Sequence, residues 1–299
     1  TVAGNVSADG GTIKLDGNFP VENGNVALGN AALDAVTTGG AYNTALGSDA
    51  LTDNTTGSRN TAVGQGSLAD NISGSYNTSV GREALFLNTT ASNNTAVGYQ
   101  AGYSITGSQY NTAIGRGALY SHTTGNGGNV AVGYDANRSL TTGYNNVSVG
   151  SNAAYSTTTG LYNVALGDNA LRSNTTASNN TAVGYQAGYS KTTGDPITAV
   201  GYQALTSVTT GAYSTAVGRN AGDSVTTGNH NTLMGNFTGA DITTGANNTA
   251  IGSESLRSNT TASNNTAVGY QAGYSNTTGA DNVALGYEAL YANTTYRRN

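Results

Sequence analysis

The sequence contains no cysteine, no tryptophan, only two prolines and few charged side chains. Without cysteine, a disulfide framework and thiolate metal sites are excluded. Charged residues make up 9% of the 299 residues, against about 25% in ordinary globular domains, which argues against a conventional enzyme. With 11 basic and 16 acidic residues, the chain lacks the positive surface that nucleic acid binding requires. No apolar run approaches the roughly 18 residues of a membrane span, so we expect no membrane insertion.

Glycine and a repeated motif dominate the rest of the sequence. There are 43 glycines, about twice the usual share, and the hydrophobic content of 36% with a net charge of −5 excludes a disordered chain. A motif typified by Ala-Val-Gly recurs sixteen times, and thirteen of the fifteen intervals are 17 residues while two are 18. Its anchor glycines are Gly29, Gly47, Gly64, Gly81, Gly98, Gly115, Gly133, Gly150, Gly167, Gly184, Gly201, Gly218, Gly235, Gly252, Gly269 and Gly286.

Positions counted from the anchor glycine form columns with recurring residue types. Position −4 is Asn in fourteen copies, −3 is Thr or Val, −2 is Ala in thirteen, and −1 is always apolar. Downstream, +4 is Leu in nine copies and Gly in five, and +8 is Thr in fifteen. Seventeen residues cannot hold two helices and a turn, and the β-branched alternation predicts one or two short strands per unit. We therefore predict an all-β parallel β-solenoid of sixteen 17-residue coils over residues 25–299, with residues 1–24 as an N-terminal cap or junction.

Each column predicts a ladder along the rod. We interpret the apolar −1 column as the inner core, so the −2 alanines face outward and predict packing against another copy of the chain. The alternative is that both faces of the strand are buried within one thick coil. The −4 asparagines are expected at a turn, with their amides hydrogen-bonded to backbone or to one another. The anchor glycine is expected to supply a backbone angle, or a close approach, that a Cβ would prevent.

The repeats resemble those of a known class of fibrous proteins. The segments Asn94–Ala101, Asn180–Ala187 and Asn265–Ala272 read Asn-Thr-Ala-Val-Gly-Tyr-Gln-Ala. They resemble the YadA-like head repeats of trimeric autotransporter adhesins and are still more similar to repeats in phage tail fibres. The resemblance implies a left-handed β-roll, a homotrimer and a role in attachment. The unit is 17 residues rather than about fourteen, and no coiled-coil stalk or membrane barrel follows it, so we expect a phage fibre or a fragment rather than an intact autotransporter.

Residues with catalytic potential are few. His122 and His230 fall in different columns, so a histidine metal site or triad is not predicted, and both are expected in loops. Asp53 and Asp70 share a column in adjacent coils, which would bring their carboxylates within roughly 5 Å, the spacing of a retaining glycosidase. We interpret them as solvated turn acids or a weak cation site. The sequence predicts no catalytic, cofactor or metal site, and a polysaccharide depolymerase is the enzyme alternative.

Tyrosine and threonine columns offer the candidate contact residues. Tyrosines at +1 and +5 could contact a host-surface receptor, a glycan or a protein, or could serve only packing. These candidates are Tyr99, Tyr103, Tyr185, Tyr189, Tyr270 and Tyr274. The +8 threonines raise a minor alternative, an ice-binding solenoid, although Thr-Thr pairs alternate sides of the chain. We predict a structural fibre shaft of a virion that attaches to a host; the alternative is a bacterial surface adhesin or self-assembled extracellular filament.

Overall fold

The structure, a computed structural model, describes residues 24–36 and 39–298 and is all-β there. No helix in these ranges is long and apolar enough to span a membrane. The predicted cap or junction at residues 1–24 lies outside the described residues except for Gly24. The strands are β1 Val26–Leu28, β2 Thr44–Leu46, β3 Thr61–Val63, β4 Thr78–Val80, β5 Thr95–Val97, β6 Thr112–Ile114, β7 Val130–Val132, β8 Val147–Val149, β9 Val164–Leu166, β10 Thr181–Val183, β11 Thr198–Val200, β12 Thr215–Val217, β13 Thr232–Met234, β14 Thr249–Ile251, β15 Thr266–Val268 and β16 Val283–Leu285.

The strands form one parallel sheet in chain order from β1 to β16. Each strand pairs with the next in the same column register, so that Ala96 lies opposite Ala113 and Val97 opposite Ile114. The predicted parallel β-solenoid is therefore confirmed, with one three-residue strand in each coil. At the usual strand spacing of about 4.7–4.9 Å, sixteen coils make a rod roughly 75 Å long.

The rest of each coil is a stacked series of turns. Residues at −5, +2 and +4 have left-handed backbone angles, for example Tyr110 (φ 60°), Gln100 (φ 55°) and Leu85 (φ 48°). These angles break the extended conformation, so the return path forms no second strand, although its backbone still bonds from coil to coil. The amide of Leu85, for instance, donates to the carbonyl of Ala101 at 3.0 Å.

The interior of the rod contains the −2 column, which contradicts the predicted orientation of the strands. Ala96 is fully buried, whereas its neighbour Val97 is 37% exposed and Thr95 is partly exposed. The same pattern recurs along the sheet, so the apolar −1 column is not the core and the alternative of two buried strand faces is also wrong. The physical reason is the return path, which places a +4 leucine directly against the strand and leaves room only for alanine.

Exceptions in the core columns compensate one another. Leu233 is the only large residue in the −2 column, and it lies between Gly222 and Gly239, which replace the usual +4 leucine in two successive coils. A Cβ at Gly222 would lie 2.6 Å from Leu233 Cδ1, and one at Gly239 would lie 2.8 Å from Leu233 Cδ2. The Leu233 side chain thus fills the space of the missing leucines, as close packing requires.

Buried asparagine ladders connect the coils, as the sequence predicts. At −4, the backbone amide of Asn94 donates to Oδ1 of Asn77 at 3.0 Å, and the amide of Asn111 donates to Oδ1 of Asn94 at 2.9 Å. A second ladder at +7 joins Asn88 Nδ2 to Asn71 Oδ1 at 3.0 Å. Each side chain satisfies buried backbone groups that the turns leave unpaired, which explains why a polar residue recurs inside the rod.

Candidate interaction surface

The outward face of the sheet, which we call the stripe, carries an unbroken row of apolar side chains at −1 beside a row of Thr and Val at −3. It consists of the −3 and −1 columns, and none of these side chains is buried in any of the sixteen strands. The most exposed apolar members are Val26, Leu28, Leu46, Val97, Ile114, Val149, Val217, Met234, Ile251, Val283 and Leu285. Exposed apolar surface of this extent is typical of interaction sites rather than of ordinary solvent-facing sheet.

Aromatic and arginine side chains border the stripe at +1. Tyr99 is 39% exposed, and the guanidinium groups of Arg82 and Arg116 lie 5.9 Å and 6.0 Å from its ring centre. The guanidinium of Arg116 also lies 5.2 Å from the ring of Tyr134. Tyrosine and arginine are enriched at protein interfaces, so the border has the composition expected beside an apolar contact surface.

The six candidate tyrosines lie on the surface, and each has at least one ring face in contact with a neighbouring coil. Tyr103 stacks on Tyr120 with ring centres 5.1 Å apart. Equivalent stacks join Tyr185 to Tyr202, Tyr270 to Tyr287 and Tyr274 to Tyr291, while Arg172 lies over the ring of Tyr189. Neighbouring coils therefore occupy at least one face of each ring, which reduces the area that could stack on a sugar.

Asp53 and Asp70 lie in adjacent coils, as the column predicts. Burial raises the pKa of Asp70, and the negative charge of Asp53 raises it further. Their backbone amides bond to the carbonyls of Ala69 and Phe86, so both residues belong to the stacked turns. Among the described residues, no group of three or more His, Asp or Glu side chains could hold a metal ion.

His122 lies outside the strands, as predicted, but its side chain points into the interior of the rod. It lies in the +7 column, is fully buried, and its Nε2 is 2.8 Å from Ser108 Oγ. Burial lowers the pKa of His122 to about 4, against a small opposing effect of the Thr141 backbone. His230 is exposed and stacks on Tyr213 with ring centres 5.1 Å apart. The two histidines are on different sides of the coil and form no joint site.

Acidification should destabilise the coil that contains His122. The folded pKa is about 4 and the unfolded pKa about 6.5, so the unfolded chain binds the extra proton and stability falls between pH 6.5 and 4. The loss from this group should reach about 3 kcal/mol at pH 4. Urea denaturation at pH 7 and pH 4 would measure it. His122→Asn, which restores a common residue of the column, should remove that part of the acid sensitivity; an unchanged pH dependence would contradict the assignment.

Lys191 is a buried amine whose role the sequence reasoning missed. It is fully buried in the +7 column, and its Nζ donates to the carbonyl of Gly211 at 2.6 Å. Burial lowers its pKa to about 8, while the negative charge of Asp195 acts in the opposite direction. Its +7 column could have indicated burial, because the other members of that column are His122, Asn and uncharged side chains.

The +8 threonines direct their hydroxyl groups along the rod rather than outward. Thr89 Oγ1 donates to the carbonyl of Thr106, and Thr106 Oγ1 donates to that of Thr123, each at 3.2 Å. The same bond recurs in later coils through Thr277 and Thr294. These hydroxyl groups therefore connect adjacent coils. The flat array of side chains that faces outward is the stripe rather than the threonine column.

Comparison with known proteins gives no match to a family model, a curated protein or a solved structure. The functional interpretation consequently depends on the stripe, its aromatic border and the repeated sequence.

Proposed function

We propose that the chain is a non-enzymatic shaft module of a phage tail fibre, in which three copies pack along the stripe. The exposed apolar stripe is the single observation that carries this proposal. A solvated sheet face would alternate polar residues at these positions, whereas the −1 column holds only Val, Leu, Ile and Met. A homotrimer removes this surface from water while leaving the turns exposed.

The size of the stripe suits a stable assembly. Two columns about 7 Å apart, with the width of their side chains, make a strip roughly 10 Å wide and 75 Å long. That is on the order of 700 Å² per chain, close to the roughly 800 Å² that each partner contributes to a typical specific interface. In-register coils make the surface straight and regular, which favours a second copy of the same rod over an irregular partner.

The attachment role is supported by the resemblance of the repeats to those of phage fibres and YadA-like heads. A stiff rod built from identical coils holds a receptor-binding end at a fixed distance from its base. We place it on the virion or another extracellular surface, with the exposed edges of the tyrosine columns available to a host glycan or protein. A bacterial adhesin or extracellular filament of the same fold is the alternative.

Charge placed on the stripe should dissociate the assembly. Sedimentation equilibrium of the unaltered chain should give about three times the monomer mass of 29.9 kDa. The combined variant Val97→Lys, Val149→Lys and Val217→Lys puts three cations on the proposed interface, where each of these valines is 37% exposed. It should sediment as a folded monomer, because unpaired buried charge strongly opposes association.

The matched control is Thr90→Lys, Thr142→Lys and Thr210→Lys, which adds the same charge at exposed turn positions away from the stripe. This control should remain trimeric. A monomeric unaltered chain, or a trimer that survives the stripe variant, would overturn the proposed packing.

The location can be tested separately from the assembly. Gold-labelled antibodies raised against the chain should bind the tail fibres of virions in electron micrographs. Labelling of bacterial cell surfaces without virions would favour the adhesin alternative. Reducing ends released from host polysaccharide by the purified chain would instead indicate a depolymerase.

A further inference from the structure

Over residues 24–36 and 39–298, the hydrophobic interior of the rod is interrupted once, in the middle of its length. The buried apolar side chains form two clusters, one ending at Leu140 and the other beginning at Ala153. Near this break are Asn137, at a +4 position usually occupied by Leu or Gly, and Ser148, at a −2 position usually occupied by Ala. Two polar side chains thus replace apolar ones in adjacent coils.

Neither polar side chain has a hydrogen-bond partner within the protein. Asn137 is fully buried and Ser148 is 1% exposed. Both Oδ1 and Nδ2 of Asn137 and the hydroxyl of Ser148 are unpaired. Elsewhere the −2 serine does find partners: Ser79 Oγ donates to the carbonyl of Ala84 at 2.8 Å. Three buried polar atoms without partners in one place are costly unless something else satisfies them.

The repeat places these two side chains next to each other. Ser148 is separated from Asn137 by eleven residues, as Leu233 is from Gly222, and a Cβ added at Gly222 would lie only 2.6 Å from Leu233 Cδ1. The next +4 residue is Ala154, so this region lacks both of its +4 leucines. Asn, Ser and Ala together have two fewer side-chain heavy atoms than the usual Leu, Ala and Leu, which leaves space of the order of one small molecule.

We propose that this site binds ordered water, one or two molecules, held between the Asn137 amide and the Ser148 hydroxyl. Buried water needs two to four polar partners, and the three unpaired atoms supply a donor, an acceptor and a group that can act as either. A cation is a poorer occupant, because Asp135, the acidic residue of this coil, is paired with Arg138 at 2.8 Å. The bound water supplies hydrogen-bond partners to the polar atoms at this break in the apolar interior.

A high-resolution crystal structure of the full chain tests the proposal directly. We expect solvent density within about 2.7–3.2 Å of the Asn137 amide and of Ser148 Oγ. A direct hydrogen bond between the two side chains, or a dry void, would overturn it. The variant Asn137→Leu with Ser148→Ala, which restores the common residues of both columns, should remove the density and join the two apolar clusters.

A double-mutant cycle gives a second readout that does not depend on crystals. Asn137→Gly and Ser148→Ala introduce residues that the same columns carry in other coils, so both should fold. If water links the side chains, the shift in denaturation midpoint caused by Ser148→Ala should be smaller in the Asn137→Gly background than in the unaltered chain. Additive shifts would exclude a shared water molecule, whether the chain is monomeric or trimeric.

Discussion

Gly98→Ala is expected to be a strongly damaging substitution in the rod, lowering stability by roughly 3 to 5 kcal/mol. Gly98 has φ of +132°, a region that side chains rarely adopt, and an added Cβ would lie 2.7 Å from both the carbonyl carbon and oxygen of Gly115. The obstacle is the backbone of Gly115, whose amide donates to the Val97 carbonyl at 2.7 Å, so no side chain can rotate away. Chemical denaturation followed by circular dichroism would measure the loss.

Two control substitutions separate the contact from the backbone angle. Gly107→Ala, in the same coil, meets nothing closer than 4.0 Å at an ordinary angle, and it should raise stability by about 0.4 to 1 kcal/mol. Gly286→Ala has the strained angle, φ +119°, but no neighbour within 4 Å, and should cost about 1 to 3 kcal/mol. A loss at Gly98 no larger than that at Gly286 would show that close stacking of the anchors is unimportant.

The repeat predicted the fold because its columns express local backbone requirements. An anchor glycine every 17 residues requires a position where a Cβ is excluded, and the structure places Gly98 against Gly115 for that reason. Asparagine at −4 likewise indicates a turn whose amides need partners, as Asn94 shows. Both features arise from one coil and its nearest neighbour, so a single sequence contains enough information to recognise them.

The direction of the strand faces could not be read from the strand alone. A Thr-Ala-Val strand alternates sides, but alternation does not say which side is inside. That choice depends on the return path, where left-handed residues such as Leu85 (φ 48°) bring a leucine against the alanine. The sequence did contain one indication that the −2 column is inside. The large −2 residue Leu233 is accompanied by glycine at the +4 positions Gly222 and Gly239, and such small neighbours are needed only if both columns share the interior.

An outward-facing apolar surface was predicted from the sequence, but it was assigned to the −2 column instead of the −3 and −1 columns. Whichever face of the strand points outward, it presents apolar or small side chains, because both faces consist of such residues. With alanine inside, the stripe contains larger side chains such as Val97 and Ile114, which bury more apolar area in an assembly. The interior role of His122 was missed because its column mixes Asn with Ile, Leu and Val.

Asn146→Ala should interrupt the −4 ladder and lower stability by about 3 to 5 kcal/mol. Asn146 Nδ2 donates to the carbonyl of Gly160 at 2.9 Å, and its Oδ1 accepts from the backbone amide of Asn163 at 3.0 Å. Alanine leaves both of these buried backbone groups without those partners. Hydrogen exchange should show the amide of Asn163 losing protection first, and unchanged protection there would contradict the ladder's role.

The same ladder lacks its asparagine at one −4 position, so the opposite substitution, which restores asparagine, can also be tested. Ser214 replaces the −4 asparagine, and its Oγ accepts only the backbone amide of Asn231, at the longer distance of 3.2 Å. By repeat equivalence, Ser214→Asn places an amide within reach of the Gly228 carbonyl, just as Asn231 Nδ2 donates to Gly245 at 2.9 Å. The substitution should raise stability by about 1 kcal/mol. If Asn146→Ala destabilises while Ser214→Asn stabilises, the ladder itself contributes to holding the coils together; equal destabilisation by both would point to packing instead.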